Sequence, residues 1–458
     1  METPSSRENR ARALPAHLRE ALRRRLSGQT SQGTIGRASR DGVLPLAPSQ
    51  QRLWFLDELS PGDPGHNSSL GLRLLGVLDV EALRTALREL AARHESLRTV
   101  FADTDGRATQ HVLPEPDLPL RVVDGHSDRG VEPSGDALPA VVRAELNTGF
   151  DLRSRPPVRA LLVRLAPEEH LLVLSMHHII TDGWSAGVIT REIPALYTAA
   201  LEGTNAGLPD LPVQYADYAV WQRDQQDSPD LRRQLDYWRR QLADLAPVEL
   251  PTDRPRPTTS TSAGAVHEFR LPNSTSTGLR ELSEQRGVTL FMTLTALTQL
   301  WLSRRSGQDD IALGTVTSGR DHPELERLVG FFVNTLVLRT RVSESRAFAD
   351  LLDSVKATVL DAFGHREVPF DRVVEALAPN RDRGGNSLVR ALLVLQNTPS
   401  EHSGPAGLRI EDFPLPTESA RFDLTLELRE DAEGLVVALE YATDLFDAGT
   451  VERWARDW

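Results

Sequence analysis

The stretch from Leu171 to Leu201 constrains the fold more than any other part of this chain. Leu171-Leu172-Val173-Leu174-Ser175-Met176 is apolar at odd and even positions alike. A strand without a polar face has to be covered on both sides, so it belongs inside a sheet and not at its edge. Arg159–Leu165 is a second apolar run, separated from the first by a short Pro167-Glu168-Glu169 turn, and the two predict a hairpin. After Met176 come His177-His178-Ile179-Ile180-Thr181-Asp182-Gly183. From Ser185 to Leu201 the period changes to that of a helix, with Val188, Ile189, Ile193 and Leu196 inward. The two histidines therefore stand where a buried strand turns into a helix, the place where α/β proteins put their chemistry.

The remaining pattern fills in two comparable halves. Ser49–Leu59 has helical spacing, Gly71–Leu78 alternates as a strand, and Asp79 is placed to cap a helix that runs through Arg93. Tyr215–Leu245, between two Pro-containing breaks, reads as one helical bridge. Beyond it come a strand (Val266–Leu271) and helices (Ser274–Arg286, Leu290–Arg304). Strands at Ile311–Thr317 and Phe332–Leu338 and a helix at Phe348–Phe363 follow. The chain closes with strands at Arg390–Gln396, Asp423–Arg429 and Leu435–Tyr441 and a helix starting near Asp447. The expected division is a polar tail and linker over 1–43, a first lobe over 44–225 carrying the histidine pair, and a second over 226–458. An amphipathic segment at Leu18–Leu26 makes the tail either a loosely packed extension or a docking segment for a partner protein. The fold class is α/β, or α+β, in two lobes with a cleft between them.

Composition excludes several functions. The 458 residues carry 52 basic and 65 acidic side chains, a net charge of −13, which argues against nucleic acid as the main partner. There is no cysteine, so disulfides, thiolate metal sites and a cysteine nucleophile are out. No apolar run approaches the ~18 residues of a membrane span, and the N-terminus lacks the apolar core of a signal peptide. A cytoplasmic protein is the expectation.

One histidine of an adjacent pair can face a cleft while its neighbour packs inside, because successive strand side chains point to opposite faces. Such a histidine can take or position a proton near neutral pH. A buried, hydrogen-bonded structural histidine is the plainer reading of either one. Asp182 can cap the following helix or pair with a buried arginine. Adjacent histidines diverge and no third ligand stands at metal spacing, so no metal is expected.

The HHxxxDG pattern resembles the signature of the condensation domains of nonribosomal peptide synthetases and their wider acyltransferase superfamily. Other stretches resemble the family's motifs in order: Ser49–Leu56 (SQQRLWFL), Arg93–Phe101 (RHESLRTVF), Met176–Ser185 (MHHIITDGWS), Tyr215–Tyr218 (YADY), Gly330–Thr335 (GFFVNT), His365–Phe370 (HREVPF) and Arg421–Leu424 (RFDL). The wording is most similar to the subclass joining an L-aminoacyl donor to an L-amino acceptor. The resemblance implies two chloramphenicol-acetyltransferase-like lobes in a V with a tunnel at their junction. It implies an acyl or aminoacyl thioester delivered on the phosphopantetheine arm of a carrier protein, and no cofactor bound to the chain itself. The acceptor is carried by a second carrier or is a free small molecule. By the same resemblance His178 is the catalytic histidine and His177 its structural neighbour. Asp182 is structural and bridged to Arg98, and Gly183 lets the backbone approach the substrate. Asn334 and Trp238 line or support the site.

Two features depart from this pattern. Gly384–Leu388 (GGNSL) resembles the phosphopantetheine attachment motif of carrier proteins, but the residues that precede it there are missing, so it reads as a loop before a strand. That loop also departs from the family's usual Pro-Leu-Phe-Gln. The chain's ends suit a free-standing enzyme or an excised domain, with the former favoured. Amide formation is the main expectation and ester formation on an alcohol the alternative. A non-catalytic recruiting domain is a third reading, opposed by the intact His178, Asp182 and Gly183. An epimerase fits the residues after the aspartate poorly.

Overall fold

Strands Val158–Ala166 and Glu169–His177 form the expected antiparallel hairpin, with Val158 opposite Met176 and Leu162 opposite Leu172. Glu169–His177 is the middle strand of a five-stranded sheet, and every residue after Glu169 is buried. Leu172, Leu174 and Met176 face one core, packed under helices Val80–Arg93 and Gly183–Glu202. Leu171 and Val173 face a smaller cluster on the other side with Val142 and Leu161. Both faces are covered, as the apolar run requires. Asp79 caps its helix by accepting from the amides of Glu81 and Ala82, each at 2.9 Å.

This computed structural model describes residues 34–125, 139–257, 261–343, 345–377, 388–396, 407–431 and 433–458. The Leu18–Leu26 segment and Gly384–Ser387 lie outside the described residues. Eleven α-helices are present among the described residues, none of them long and apolar enough to cross a membrane.

A second sheet has six strands, in the order Asn334–Arg341, Asp310–Thr317, Ala391–Gln396, Leu424–Asp431, Gly434–Ala442, Gly264–Arg270. Its large core takes side chains from helices Leu290–Ser306, Phe348–Gly364 and Ala448–Asp457. Among the described residues, one strand from late in the chain joins the first sheet. Strand Leu408–Asp412 comes late in the chain, yet it pairs antiparallel with Asn67–Gly76 of the first sheet, Leu408 opposite Gly76 and Asp412 opposite Leu72.

Several elements differ from expectation. The Tyr215–Leu245 bridge is two helices, Tyr215–Gln225 and Pro229–Gln241. Ser228 caps the second through the amide of Leu231, and Pro229 takes its first position, where a missing N–H costs nothing. Strand Asn334–Arg341 begins two residues later than Phe332, which is held instead in the site described below. The hairpin Thr99–Thr104 and Arg107–Val112 is an addition to the expected elements. Its turn residues Asp105 and Gly106, at φ 54° and 73°, form an Asp-Gly turn of the kind that joins such strands.

Candidate active site

The buried strand ends at His177, one turn of 3-10 helix covers His178–Ile180, and the long helix starts at Gly183. This turn separates the two imidazoles. His177 is 1% exposed, and its Nδ1 accepts from the amide of Ile179 at 3.1 Å. Its Nε2 therefore carries the proton and is buried without a hydrogen-bond partner. Its ring meets those of His66 (5.9 Å between centroids) and Phe150 (6.4 Å) edge-on. Burial, with smaller contributions from His66 and Arg421, pushes its pKa down to about 3.

This depression has a consequence for stability. Above the ordinary histidine range the folded and unfolded chains both hold His177 neutral; below it only the unfolded chain gains a proton, so stability falls as the pH drops from 6.5 towards 3. We expect His177 alone to cost about 2 kcal/mol of stability by pH 5 relative to pH 7. In urea unfolding at the two pH values, His177→Met should start lower at pH 7 and lose correspondingly less. An unchanged difference in the variant would assign the acid sensitivity elsewhere.

His178 is half-buried, and its Nδ1 lies 2.9 Å from the carbonyl oxygen of Thr181. A carbonyl only accepts, so Nδ1 holds the proton and Nε2 presents the lone pair. The ring lies 5.6 Å from that of Phe331, which comes from the second half of the sequence. Burial lowers the pKa of His178 well below its usual value, and the charge of Arg421 adds to this, while the Thr181 contact opposes it. The result is a neutral imidazole at neutral pH with a basic nitrogen, able to accept or position a proton.

Asp182 is fully buried, and its hydrogen bonds go to groups other than His178. Its Oδ1 accepts from the amide of Ser185 (2.8 Å) and from Arg320 (3.1 Å), and its Oδ2 from the amide of Phe332 (3.0 Å). Ser185 Oγ lies 2.7 Å from Asp182 Oδ1 and 2.8 Å from the Gly330 carbonyl, and it accepts from Arg320 (2.8 Å) and the Gly330 amide (3.0 Å). Arg320 also donates to the carbonyls of Leu325 and Leu328, and its guanidinium lies 4.0 Å from the centre of the Phe332 ring. Both carboxylate oxygens of Asp182 are thus taken up by this buried frame, and the expected bridge to Arg98 is not made. Arg98 donates to the Leu113 carbonyl and stands 3.9 Å from Glu95. Leaving its short 3-10 turn, it serves the strands next to it, and Arg320 takes the buried carboxylate.

Gly183 is exposed, has no positive φ, and a Cβ built on it meets nothing within 4 Å. The fold alone does not call for glycine here. If the space beside it is for substrate, Gly183→Ala should melt within a few degrees of the parent and lose activity by about 10–100-fold through misplacement. Full activity in Gly183→Ala would remove the glycine from the site. Gly330 is a contrasting case, since a Cβ there would lie 2.0 Å from the Tyr215 ring.

Trp238 and Asn334 meet at another segment. Trp238 Nε1 donates to the carbonyl of His365 (2.9 Å), and Asn334 donates to those of Arg366 and Val368 (2.8 Å each) while accepting from the amide of Phe370 (2.9 Å). Both shape the His365–Phe370 motif and neither hydrogen-bonds to His178. Sequence reasoning gives no role to Gln50, which donates to the Ile179 carbonyl (2.9 Å) and so holds the histidine turn, or to Arg320. Gln50 lies within the SQQRLWFL motif; Arg320 has only its place just after a strand to mark it.

A family model described as the condensation domain matches residues 40–458. The chain is 42% identical over 421 residues to a linear gramicidin synthase protein of Brevibacillus parabrevis, covering 91% of this chain and 5% of that protein. It thus spans a small part of that relative's length. The X-domain from teicoplanin biosynthesis superposes with a TM-score of 0.83 at 30% identity, over 93% of this chain and 95% of that one. The structure of the complex of the X-domain and OxyB from the same biosynthesis matches with a TM-score of 0.82 at 29% identity, covering 93% and 94%. The fold is the chloramphenicol-acetyltransferase-like one. A match that runs from residue 40 to the last residue, through each of the motifs placed above, makes this chain a member of the condensation domain family of nonribosomal peptide synthetases.

Proposed function

We propose that this chain transfers a carrier-bound acyl or aminoacyl group to the amine of an acceptor, forming an amide bond. The observation that carries this reading is the tautomer of His178. With Nδ1 donating to Thr181, Nε2 is left as a proton acceptor at the turn where the two halves of the chain meet. In the reaction the acceptor nitrogen attacks the thioester carbon and a C–N bond forms. The C–S bond breaks, and the thiolate leaves on the carrier's phosphopantetheine arm. The proton lost by nitrogen passes to Nε2 and from there to the thiolate. The remaining task is to hold amine and carbonyl within ~3–3.5 Å, which the buried frame around Asp182 and Arg320 supports.

Two other readings have specific support. An alcohol acceptor would use the same Nε2 and give an ester. The resemblance to the X-domain, which is known in complex with OxyB, favours a domain that binds another protein without chemistry. The test is transfer itself. Acyl groups of several kinds, loaded on a phosphopantetheinylated carrier, are offered with amine and alcohol acceptors, and the product is followed by mass spectrometry. We expect amide from the loaded carrier and none from the free acid with ATP. Ester alone would favour the alcohol reading, and binding of the carrier without product from any acceptor would favour the recruiting one.

A further inference from the structure

We propose that His94, with Ser96 beside it, is a positioning residue of this site: one buried imidazole sets the distance between the helix that leaves the histidine turn and the segment that places Phe331 against His178. The inference rests on the reading of His178 as the proton acceptor. His94 follows helix Val80–Arg93 and is buried. Its Nε2 lies 2.8 Å from Oε2 of Glu192, a buried residue of helix Gly183–Glu202, and its Nδ1 accepts from the amide of Val329 at 3.4 Å. An amide only donates, so Nδ1 is the unprotonated nitrogen and Nε2 carries the proton that Glu192 receives. Arg93 donates to both oxygens of the same carboxylate (3.2 and 3.1 Å), which fixes that acceptor in place. Ser96 Oγ donates to the Val329 carbonyl at 2.8 Å, so both backbone groups of Val329 are taken by side chains of one short stretch.

Val329 opens a run of four residues whose backbone is held from the first half of the chain. Gly330 meets Ser185 Oγ through its amide (3.0 Å) and its carbonyl (2.8 Å). The Phe331 carbonyl accepts from the Tyr215 hydroxyl (2.7 Å), and the Phe332 amide donates to Asp182 (3.0 Å). The ring of Phe331, 5.6 Å from that of His178, is thus placed by its own backbone. Asp182 and Ser185 stand at the start of helix Gly183–Glu202, and Glu192 stands on the same helix about two turns beyond Ser185. The segment is therefore gripped against one helix at two points, directly at its start and through His94 further along. Two separated grips fix the angle of the segment as well as its place. Without the second, the segment is free to pivot about Ser185 and Asp182, and the Phe331 ring swings relative to His178.

The experiment uses the whole chain and two variants that divide the work of the imidazole. His94→Asn puts an oxygen where Nδ1 stands, so it keeps an acceptor for Val329 and is too short for Glu192. His94→Gln reaches Glu192 with its amide nitrogen and leaves Val329 without an acceptor. NMR of the His178 ring protons, in protein with isotope-labelled histidine and no substrate, reads the position of the Phe331 ring. Phe331→Leu marks the shift seen when that ring is gone. We expect His94→Gln to move the His178 resonances towards those of Phe331→Leu. It should also lower kcat by about three- to tenfold with KM unchanged, part of the ~100-fold that a 1 Å misplacement costs. His94→Asn should stay near the parent in both respects although it melts lower, whereas a merely structural histidine would make the damage follow the melting temperature. Ser96→Ala removes the other hold on Val329, should shift the resonances in the same direction as His94→Gln, and replaces it if that variant does not fold. Unchanged His178 resonances in the folded variant, or an equal move in His94→Asn and His94→Gln, would each overturn the inference. The NMR arm contains no substrate, so absence of any transfer with the shifts as expected would sink the amide-forming reading and keep this one.

Discussion

Arg320→Ala should lower the free energy of unfolding by about 3–5 kcal/mol, the range for removing one partner of a buried ion pair. Its side chain and that of Asp182 are 1% and 0% exposed, so an isolated carboxylate could not be rescued by water. The loss would spread further. Arg320 holds the carbonyls of Leu325 and Leu328, and Asp182 holds the amide of Phe332, so either change loosens the segment that sets Phe331 against His178. Asp182→Ala should cost a similar amount, and the double variant clearly less than the sum, because the second change removes a charge the first had stranded. Urea denaturation of the three variants measures this directly. Since the hydrogen bonds of both residues go to groups other than His178, activity should follow the folded fraction, and activity lost from a fully folded Asp182→Ala would show that the carboxylate takes part in the chemistry. Arg98→Ala, with no contact to Asp182, should leave this pair intact.

Which parts of this arrangement are legible in the sequence follows from how local their causes are. The strand into the histidine turn can be read because its apolar run, the glycine and the following 3.6-residue period all lie within about thirty residues. The helix from Val80 is legible for the same reason, with Asp79 at its start and a stripe of leucines and alanines behind it. Strand Leu408–Asp412 is not, because it is five residues long with alternating charges, and its partner lies more than 300 positions earlier. The arginine for Asp182 escapes in the same way. Arg320 is 138 residues from Asp182 and has no periodic pattern around it, whereas Arg98 stands in a recognisable motif and offers a rival. Arg98 is in fact used fifteen residues along, at Leu113, a short-range task that the motif does not distinguish from a long-range one. Strand alternation does not separate the two histidines, because the strand ends at His177; the greater exposure of His178 and its tautomer both follow from the 3-10 turn that begins there and brings the Thr181 carbonyl to Nδ1.

His178→Ala should cost about 10²–10⁴-fold in transfer rate, the usual worth of a positioned general base, and should cost more with an alcohol acceptor than with the matching amine. A free α-amine titrates near ~8 and is substantially deprotonated when it attacks, so the imidazole mainly orients it and takes a proton that already leaves easily. A hydroxyl is a far weaker acid and has to surrender its proton during the attack, when Nε2 must be neutral and in reach. The lowered pKa of His178 secures the neutral form, but it also makes the imidazole a weaker base, and that suits the amine better than the alcohol. Paired kinetics of the parent and His178→Ala, with isosteric amine and alcohol acceptors on one loaded carrier, separate these roles. Equal losses would mean that His178 only orients the acceptor, and unchanged rates with both would remove it from the mechanism. His177→Ala is the control: its ring packs against His66 and Phe150 and its Nδ1 accepts from the Ile179 amide, so that variant should lose stability first and rate only through the displaced turn.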